Sequence, residues 1–287
     1  MLRLAAGPVS WGVDFADCAS NPPWQEVVDG ISAAGVRHIE LGPYGYLPTD
    51  AEIARRELAR RELAPVGSFV FDEIHRAECR EAIVSAARRT CRWLRALGAS
   101  VLVVIDRPSA KRAATAGDAA AAERLPATAW AGAMVTLEAI ASSARRLGIR
   151  PVLHPHAGSY VEFADEIETA MCDTTLDLCI DTGHLLYAGL DPADIIDRYA
   201  ERVAHVHLKD LNPPALSRTQ DFWQSVAAGA FCALGDGGLD LPRVTGALHR
   251  IGYDGVATIE QDRREGTAGS PAGDLRRSVE RVAAHAA

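Results

Sequence analysis

The sequence lacks the features that mark several common classes of protein. Its 287 residues include six cysteines, but these form no CxxC pair and no regular spacing, so we expect reduced thiols rather than a zinc knuckle or a disulfide framework. No apolar run approaches the ~18 residues of a membrane span, and the N-terminus lacks the basic and apolar segments of a signal peptide. We therefore expect a soluble, cytoplasmic protein with no membrane partner.

The sequence also has fewer basic than acidic residues. The chain has 30 Lys and Arg residues against 38 Asp and Glu residues, which gives a formal net charge of −8. A protein that binds a nucleic-acid duplex needs a basic stripe to replace the phosphate counterions. Here the paired arginines, such as Arg55 and Arg56, alternate with apolar residues as they do on solvated helix faces. We therefore expect no nucleic-acid partner.

What the sequence does contain is a repeated alternation of strand and helix patterns. Eight apolar runs of strand length are each followed by a segment with helical periodicity. The predicted strands are 2–10, 36–41, 64–70, 100–105, 150–153, 176–180, 203–208 and 255–259, and predicted helices between them include 24–34, 51–62, 76–97, 130–147, 163–171 and 241–250. Such alternation implies parallel strands with right-handed crossovers. The count of eight favours an α/β fold of the (β/α)8 TIM barrel type, formed as a single domain from residues 1–287.

Two long segments interrupt this rhythm, and both follow predicted strands. They span about residues 106–126 and 211–238. Loops that follow strands lie at the C-terminal face of a barrel, where barrel enzymes have their active sites. We therefore expect both segments to lie over the active site.

Polar side chains end five of the eight predicted strands. They are Glu40, His154 with His156, Asp181 with His184, His205 with His207, Lys209 and Asp210, and Glu260 with Gln261 and Asp262. A single His or Asp at a strand end is more often a cap or a hydrogen-bonded loop residue than a ligand. We expect one of His205 and His207 to face the barrel interior and the other to face the helices, so that only one can bind a metal directly.

Four of these residues together form a candidate metal site. His154, Asp181, His207 and Glu260 each come from a different one of the last four strands, whose C-terminal ends converge in a barrel. Imidazole and carboxylate ligands suit Mn²⁺, Co²⁺, Fe²⁺ or Zn²⁺ better than Ca²⁺ or Mg²⁺. We favour Mn²⁺ or Co²⁺ as the cofactor, with Zn²⁺, Fe²⁺ and Mg²⁺ as alternatives.

Several phrases resemble a known superfamily. The phrases are HPHAGSYVE at 154–162, DTGH at 181–184, HVHLKD at 205–210 and IEQD at 259–262. They resemble the xylose isomerase-like TIM barrels, which include sugar phosphate isomerases and epimerases, and the resemblance spans nearly the whole chain. Within that superfamily the sequence is most similar to the inosose dehydratases of inositol catabolism, because AAGAFCALGDGGLDL at 227–241 looks like a segment of theirs.

The resemblance implies the same four metal ligands and a carbohydrate-metabolising lyase. Isomerases and epimerases of the superfamily usually carry Glu where this chain has His154, and inosose dehydratases are His-rich there, which favours dehydration. The expected reaction is metal-dependent loss of water from an inosose-like cyclic polyol ketone through an enediolate. The alternatives are an isomerase or epimerase of a keto sugar or sugar phosphate, and a non-catalytic polyol-binding barrel. Superfamily members often form dimers or tetramers, so a homo-oligomer is compatible with the resemblance.

Dehydration of such a ketone needs a base for the C–H proton and an acid for the departing hydroxyl. His156 is the first candidate for proton transfer, followed by Lys209 and His184, and the resemblance implies that Glu260 can be both ligand and base. The remaining predictions concern the bound polyol or sugar. Candidate substrate-binding residues are Glu40 for ring hydroxyls and Trp11, Tyr44 and Phe222 as pocket walls. Asp236, in the GDGG turn at 235–238, is expected either to face the site or to tie down the 211–238 segment.

Overall fold

A computed structural model describes residues 2–215 and 221–285. Eight parallel strands form a closed barrel. They are β1 (Arg3–Ala6), β2 (His38–Pro43), β3 (Ala64–Asp72), β4 (Val101–Asp106), β5 (Arg150–Leu153), β6 (Asp177–Asp181), β7 (Val203–Leu208) and β10 (Val256–Ile259). Around the barrel their order is β1-β10-β7-β6-β5-β4-β3-β2. A short antiparallel ribbon, β8 (Asp210–Leu211) with β9 (Phe231–Cys232), stands outside the barrel. The predicted eight-stranded TIM barrel is confirmed.

Eleven α-helices occur within the described ranges. They are α1 (Trp24–Ala33), α2 (Ala51–Ala59), α3 (Arg80–Leu97), α4 (Ala110–Ala114), α5 (Ala127–Arg145), α6 (Ala164–Asp173), α7 (Thr182–Tyr187), α8 (Pro192–Arg198), α9 (Phe222–Ala227), α10 (Leu241–Arg250) and α11 (Pro271–His285). Short 3-10 helices cover Pro8–Trp11, Ala77–Cys79 and Pro213–Ala215. Across 2–215 and 221–285, every helix is too short or too polar to cross a bilayer.

Glycines with positive φ follow several of the long helices. Gly98 follows α3 with φ 81°, and its N–H bonds to the carbonyls of Arg95 and Leu94. A side chain at that left-handed angle would clash with the backbone, whereas glycine adopts it without strain. The chain can therefore turn from α3 directly into β4.

The barrel has an outer and an inner apolar layer. The large outer cluster packs the strands against the helices and includes Leu94 of α3 and Leu102 of β4. The inner cluster is small and consists of Phe69, Val101, Val103, Ile105, Val152 and Cys179. Polar side chains occupy the rest of the interior, on the side of β2, β7 and β10. Buried polar groups destabilise a fold unless they are hydrogen-bonded, so the polar side chains on β2, β7 and β10 need hydrogen-bond partners inside the barrel.

Both interrupting segments contain more ordered structure than the sequence indicates. The segment after β4 contains α4, and the segment after β7 contains the β8–β9 ribbon and α9. Residues 216–220 of the second segment lie outside the described residues. Each element is shorter than the windows in which helical or strand periodicity can be recognised, so the sequence predicts only long loops here.

The second segment is anchored by the carboxylate of Asp210, which is completely buried. Its two oxygens accept hydrogen bonds from the backbone N–H groups of Leu211, Gly235, Gly237 and Leu239, at 2.8 to 3.1 Å. A Cβ atom at Gly237 would lie 2.5 Å from Asp210 Oδ1, so the GDGG turn must carry glycine there to approach this carboxylate.

The Asp210→Asn variant is expected to be less stable than the native protein. The amide nitrogen cannot accept, so at least one backbone N–H loses its acceptor, at a cost of about 1–3 kcal/mol for each buried group. Chemical denaturation followed by circular dichroism measures the difference. Asp236→Asn is the matched control, because Asp236 is exposed in the same turn and forms a surface ion pair with Arg277 at 3.4 Å. Equal stability of the two variants would contradict the anchoring role.

Candidate active site

A cavity opens at the C-terminal ends of the barrel strands and has two chemically different walls. The polar wall contains His154, His156, His184, His207, Lys209, Glu260 and Asp262. The apolar wall contains Val9, Phe69, Phe71, Ile105, Trp223 and Val226. Asp14, Arg263 and Arg264 also line it. All four predicted catalytic residues, His156, His184, Lys209 and Glu260, therefore lie on one wall of one cavity.

The four predicted metal ligands lie next to one another. His154 Nε2 is 3.2 Å from Asp181 Oδ2, His207 Nδ1 is 3.6 Å from the same oxygen, and His207 Nδ1 is 3.2 Å from Glu260 Oε2. Donor atoms of His154, Asp181 and His207 lie within 4.8 Å of one another. All four side chains are at most 5% exposed. The barrel thus brings together nitrogen and oxygen donors from β6, β7 and the residues that follow β5 and β10.

The charges around these donors are unbalanced. The ammonium of Lys209 lies 3.1 Å from Asp181, 3.2 Å from Glu260 and 2.6 Å from Asp262, so three carboxylates share it. Burial alone would lower the pKa of Lys209, but Asp181, Asp262 and Glu260 raise it well above its usual range. A Cβ atom at Gly183 would lie 2.6 Å from Lys209 Cγ, so glycine in DTGH leaves room for the lysine stem. The remaining negative charge and the N/O donor set fit a divalent cation.

His156 and His184 stack closely and hold their protons on different nitrogens. Their ring centroids are 3.9 Å apart. His156 Nδ1 lies 2.8 Å from the carbonyl oxygen of Ala157, which can only accept, so Nδ1 carries the proton and Nε2 has the free lone pair. The N–H of Ala157 donates to His184 Nδ1 at 3.2 Å, so neutral His184 carries its proton on Nε2. One peptide unit therefore fixes two opposite tautomers.

The surroundings keep both of these histidines neutral. Burial, together with His184 and His154, lowers the pKa of His156 well below its usual range. Burial and the Lys209 ammonium lower the pKa of His184, although Asp262 at 3.2 Å from its Nε2 acts in the opposite direction. Neutral His156 can accept a proton at Nε2, and neutral His184 can donate one from Nε2.

The prediction that His205 and His207 point to opposite sides of β7 is wrong. Alternate residues of a strand share a face, so both point into the barrel. Both Nε2 atoms contact the same oxygen of Glu40, at 2.7 Å from His205 and 2.9 Å from His207. Of the pair, His207 is the one that reaches the predicted metal ligands and lines the cavity.

The five predicted substrate-binding residues do not line this cavity in the described part of the chain. Glu40 lies deeper in the barrel, and Phe222 packs against the rings of His156 and His184, with centroids 5.2 and 5.8 Å away. Tyr44 meets Trp93 edge-on, at 5.6 Å.

The other two lie nearer the surface. Trp11 packs near Gly30 and lines a separate pocket with Arg263 and Arg264, and exposed Asp236 pairs with Arg277 on α11. The pairing connects the turn at 235–238 to α11, and the alternative role of Asp236, tying down the 211–238 segment, stays a prediction. Asp236 is not among the residues that line the cavity.

Sequence reasoning missed several of the residues that form the mouth and the apolar wall of the cavity. Arg264 stacks on Trp223 at 4.2 Å and pairs with Asp14 at 3.1 Å, and burial raises the pKa of Asp14 to about 6. Asp14 and Arg264 come from loops far apart in sequence, with no local pattern to identify them, whereas Trp223 lies on α9, and its aromatic side chain is of the type the sequence offers as a pocket wall. Phe69 and Phe71 lie two residues apart on β3, so the two-residue period of a strand could have placed both on the interior face.

Comparisons with known proteins agree with this architecture. The sequence model described as "Xylose isomerase-like TIM barrel" matches residues 28–285. The inosose dehydratase of Clostridium botulinum (strain Eklund 17B / Type B) is 28% identical over 275 residues, covering 91% of this chain and 90% of the relative. The solved IolI protein with a zinc atom has a TM-score of 0.75 and 13% identity, covering 99% and 98% of the two chains. L-Ribulose 3-epimerase has a TM-score of 0.74 and 15% identity, covering 99% and 94%.

Proposed function

The chain belongs to the xylose isomerase-like TIM barrel family, and we propose that it is a metal-dependent dehydratase that removes water from an inosose-like cyclic polyol ketone. The observation that carries the proposal is the pair of histidines, His156 and His184, whose opposite tautomers present one proton acceptor and one proton donor to the same cavity. Elimination of water needs such an acceptor for the C–H proton and such a donor for the leaving hydroxyl. The inosose dehydratase relatives support this substrate class.

The residues that would hold the metal are His154, Asp181, His207 and Glu260. Their buried N/O donors and the unbalanced negative charge support the assignment, as does the zinc atom in the structurally similar IolI protein. A divalent cation, when bound, polarises the substrate carbonyl as a Lewis acid and so acidifies the adjacent C–H. The donor set favours Mn²⁺ or Co²⁺ and also accepts Zn²⁺ or Fe²⁺.

His156 is the proposed base. The proton on its Nδ1 is held by the Ala157 carbonyl, so the lone pair on Nε2 is the one available for a proton from substrate carbon. Phe222 packs edge-on against the ring and keeps it from turning. A fixed ring brings the base into hydrogen-bond reach without the entropic cost of ordering it during the reaction.

His184 is the proposed acid, supported by Lys209 and Asp262. The Nε2 atom of His184 lies 3.2 Å from both Asp262 Oδ2 and Lys209 Nζ. When the ring gives its Nε2 proton to the departing hydroxyl, which leaves as water, the neighbouring Lys209 ammonium can pass a proton to the same nitrogen, so the ring ends neutral and the lysine ends as an amine. Burial excludes water from this cluster, which strengthens these interactions.

The alternative proposal is an isomerase or epimerase of a keto sugar or sugar phosphate. Its support is Glu260, a carboxylate that lines the cavity and that could act as base. Against it stands His154, which occupies the position where the isomerases that this sequence resembles carry Glu. Polyol binding without catalysis is the remaining alternative, and it does not require the acid–base pair.

Metal removal and restoration test the proposal. Protein purified without chelator is expected to contain about one equivalent of metal. Treatment with a chelator should abolish the rise in ultraviolet absorbance that accompanies water loss from 2-keto-myo-inositol, and Mn²⁺ or Co²⁺ should restore it. Bound metal without water loss would favour the isomerase, and protein that binds no metal would contradict both enzymatic proposals.

A further inference from the structure

Glu40 is a carboxylate in the barrel interior whose role the cavity does not explain. It lies on β2, is 2% exposed and does not line the cavity. Its Oε1 atom accepts hydrogen bonds from His205 Nε2 at 2.7 Å, His207 Nε2 at 2.9 Å and Thr258 Oγ1 at 2.5 Å. These donors stand on β7 and β10, so a single oxygen links three strands beneath the predicted metal ligands.

These contacts determine which nitrogen of His207 faces the metal ligands. A carboxylate can only accept, so His207 must carry a proton on Nε2 to bond Glu40. Its Nδ1 atom faces Glu260 and Asp181, at 3.2 and 3.6 Å, without a hydrogen bond of acceptable geometry to any described residue. Because Glu40 holds the Nε2 proton in both charge states of the ring, Nδ1 is the nitrogen that can release its proton to a cation.

We propose that Glu40 is a positioning residue for the metal site rather than a substrate-binding residue. It holds His207 with Nε2 protonated and Nδ1 directed at Asp181 and Glu260. This inference rests on the proposed metal-dependent function and deepens it. Histidines that bind metals generally donate their second N–H to a carboxylate, carbonyl or water, which fixes the ring and raises its basicity as a ligand.

His205 and Thr258 have a different part in the same arrangement. The His205 ring is nearly perpendicular to that of His207, at 82° with centroids 5.2 Å apart, and it contacts Glu40 instead of the metal ligands. His205 and Thr258 therefore supply hydrogen bonds that offset the burial of Glu40 and keep its Oε1 atom beneath His207.

A merely structural role would not require this arrangement. A buried carboxylate with histidines is costly to desolvate, and apolar residues of similar volume would stabilise the interior at least as well. The arrangement is useful if the orientation of His207 matters for metal binding.

The Glu40→Gln variant tests the inference with Zn²⁺ alone and no substrate. We expect its Kd for Zn²⁺, measured by competition with a chromophoric chelator, to rise by about 10- to 100-fold, because the neutral amide oxygen accepts the Nε2 proton of His207 more weakly than the carboxylate and no longer raises the basicity of the ring. Nitrogen-15 shifts of His207 in the zinc-loaded native protein should show a metal-bound Nδ1 and a protonated Nε2.

Thr258→Val is the matched control, since it removes a hydrogen bond to the same oxygen but leaves the His207 contact in place. We expect its Kd for Zn²⁺ to change less than that of Glu40→Gln. Should Glu40→Gln fail to fold, Glu40→Asp provides the comparison, because the shorter side chain withdraws from His207.

Three outcomes overturn the inference in distinguishable ways. An unchanged Kd in the folded Glu40 variant, with native zinc binding, refutes the positioning role alone. Equal weakening in Thr258→Val assigns the effect to packing and refutes it as well. A native protein that binds no metal refutes the proposed function, and the positioning role with it.

Discussion

Replacing His156 with Gln is expected to slow the loss of water from 2-keto-myo-inositol by about 10²- to 10⁴-fold, the usual contribution of a positioned base. Glutamine can still donate a hydrogen bond to the Ala157 carbonyl, 2.8 Å from His156 Nδ1 in the native protein, but it has no basic nitrogen to take the substrate proton. Metal content should not change, because His156 belongs to the proposed proton-transfer pair and not to the four predicted ligands. Steady-state rates and elemental analysis of the same preparation measure both quantities.

The matched control for this variant is His249→Gln. His249 is exposed on α10, far from the cavity, so its replacement changes the same chemistry without touching the site. We expect native turnover from it. Native turnover from His156→Gln would instead show that His156 is not the base, and the role would pass to Glu260, the other candidate on the cavity wall.

Replacing Asp181 with Asn should weaken metal binding more than replacing Glu40 with Gln does. Its Oδ2 atom lies 3.2 Å from His154 Nε2 and 3.1 Å from Lys209 Nζ, and burial would favour its protonated form were it not for the positive charge of Lys209. Loss of this charge should weaken metal binding by more than the roughly 10- to 100-fold cost of losing an outer partner, and turnover should fall with it. Chelator competition and activity at saturating Mn²⁺ measure the two effects.

The fold should survive this substitution. Asp181 Oδ1 caps α7 by accepting from the His184 backbone N–H at 3.0 Å, and an Asn side chain can accept the same bond. Asp197→Asn is the matched control, because Asp197 is a surface residue that pairs with Arg250 at 2.7 Å. Native metal affinity in the Asp181 variant would remove Asp181 from the metal site.

Much of the fold could be predicted from the sequence because barrel strands are apolar runs of strand length that alternate with amphipathic helices. Each predicted strand overlaps an observed one, and the prediction for 150–153 matches β5 residue for residue. The candidate site could also be predicted from the sequence, since the C-terminal ends of parallel strands meet at one face of a barrel. His154, Asp181 and His207 come together for that reason alone, although the first and the last are 53 positions apart in the sequence.

Other features depended on information that no local pattern carries. Which nitrogen of His156 and of His184 holds the proton is decided by the Ala157 peptide unit, and this follows from backbone geometry rather than from residue type. The predicted strand 36–41 puts Glu40 near its end, but Glu40 lies within β2 and its side chain lies below the cavity with His205 and His207. The sequence shows that such a side chain stands near a strand end but not how deep in the barrel it points.

The central claim is that this chain removes water from a cyclic polyol ketone by paired acid–base catalysis. The mass of the product formed from 2-keto-myo-inositol by the Mn²⁺-loaded protein tests it most directly. The account predicts a product lighter than the substrate by one water, formed by the native protein and by His249→Gln but strongly reduced in His156→Gln. A product of unchanged mass would identify an isomerase or epimerase instead and would contradict the claim.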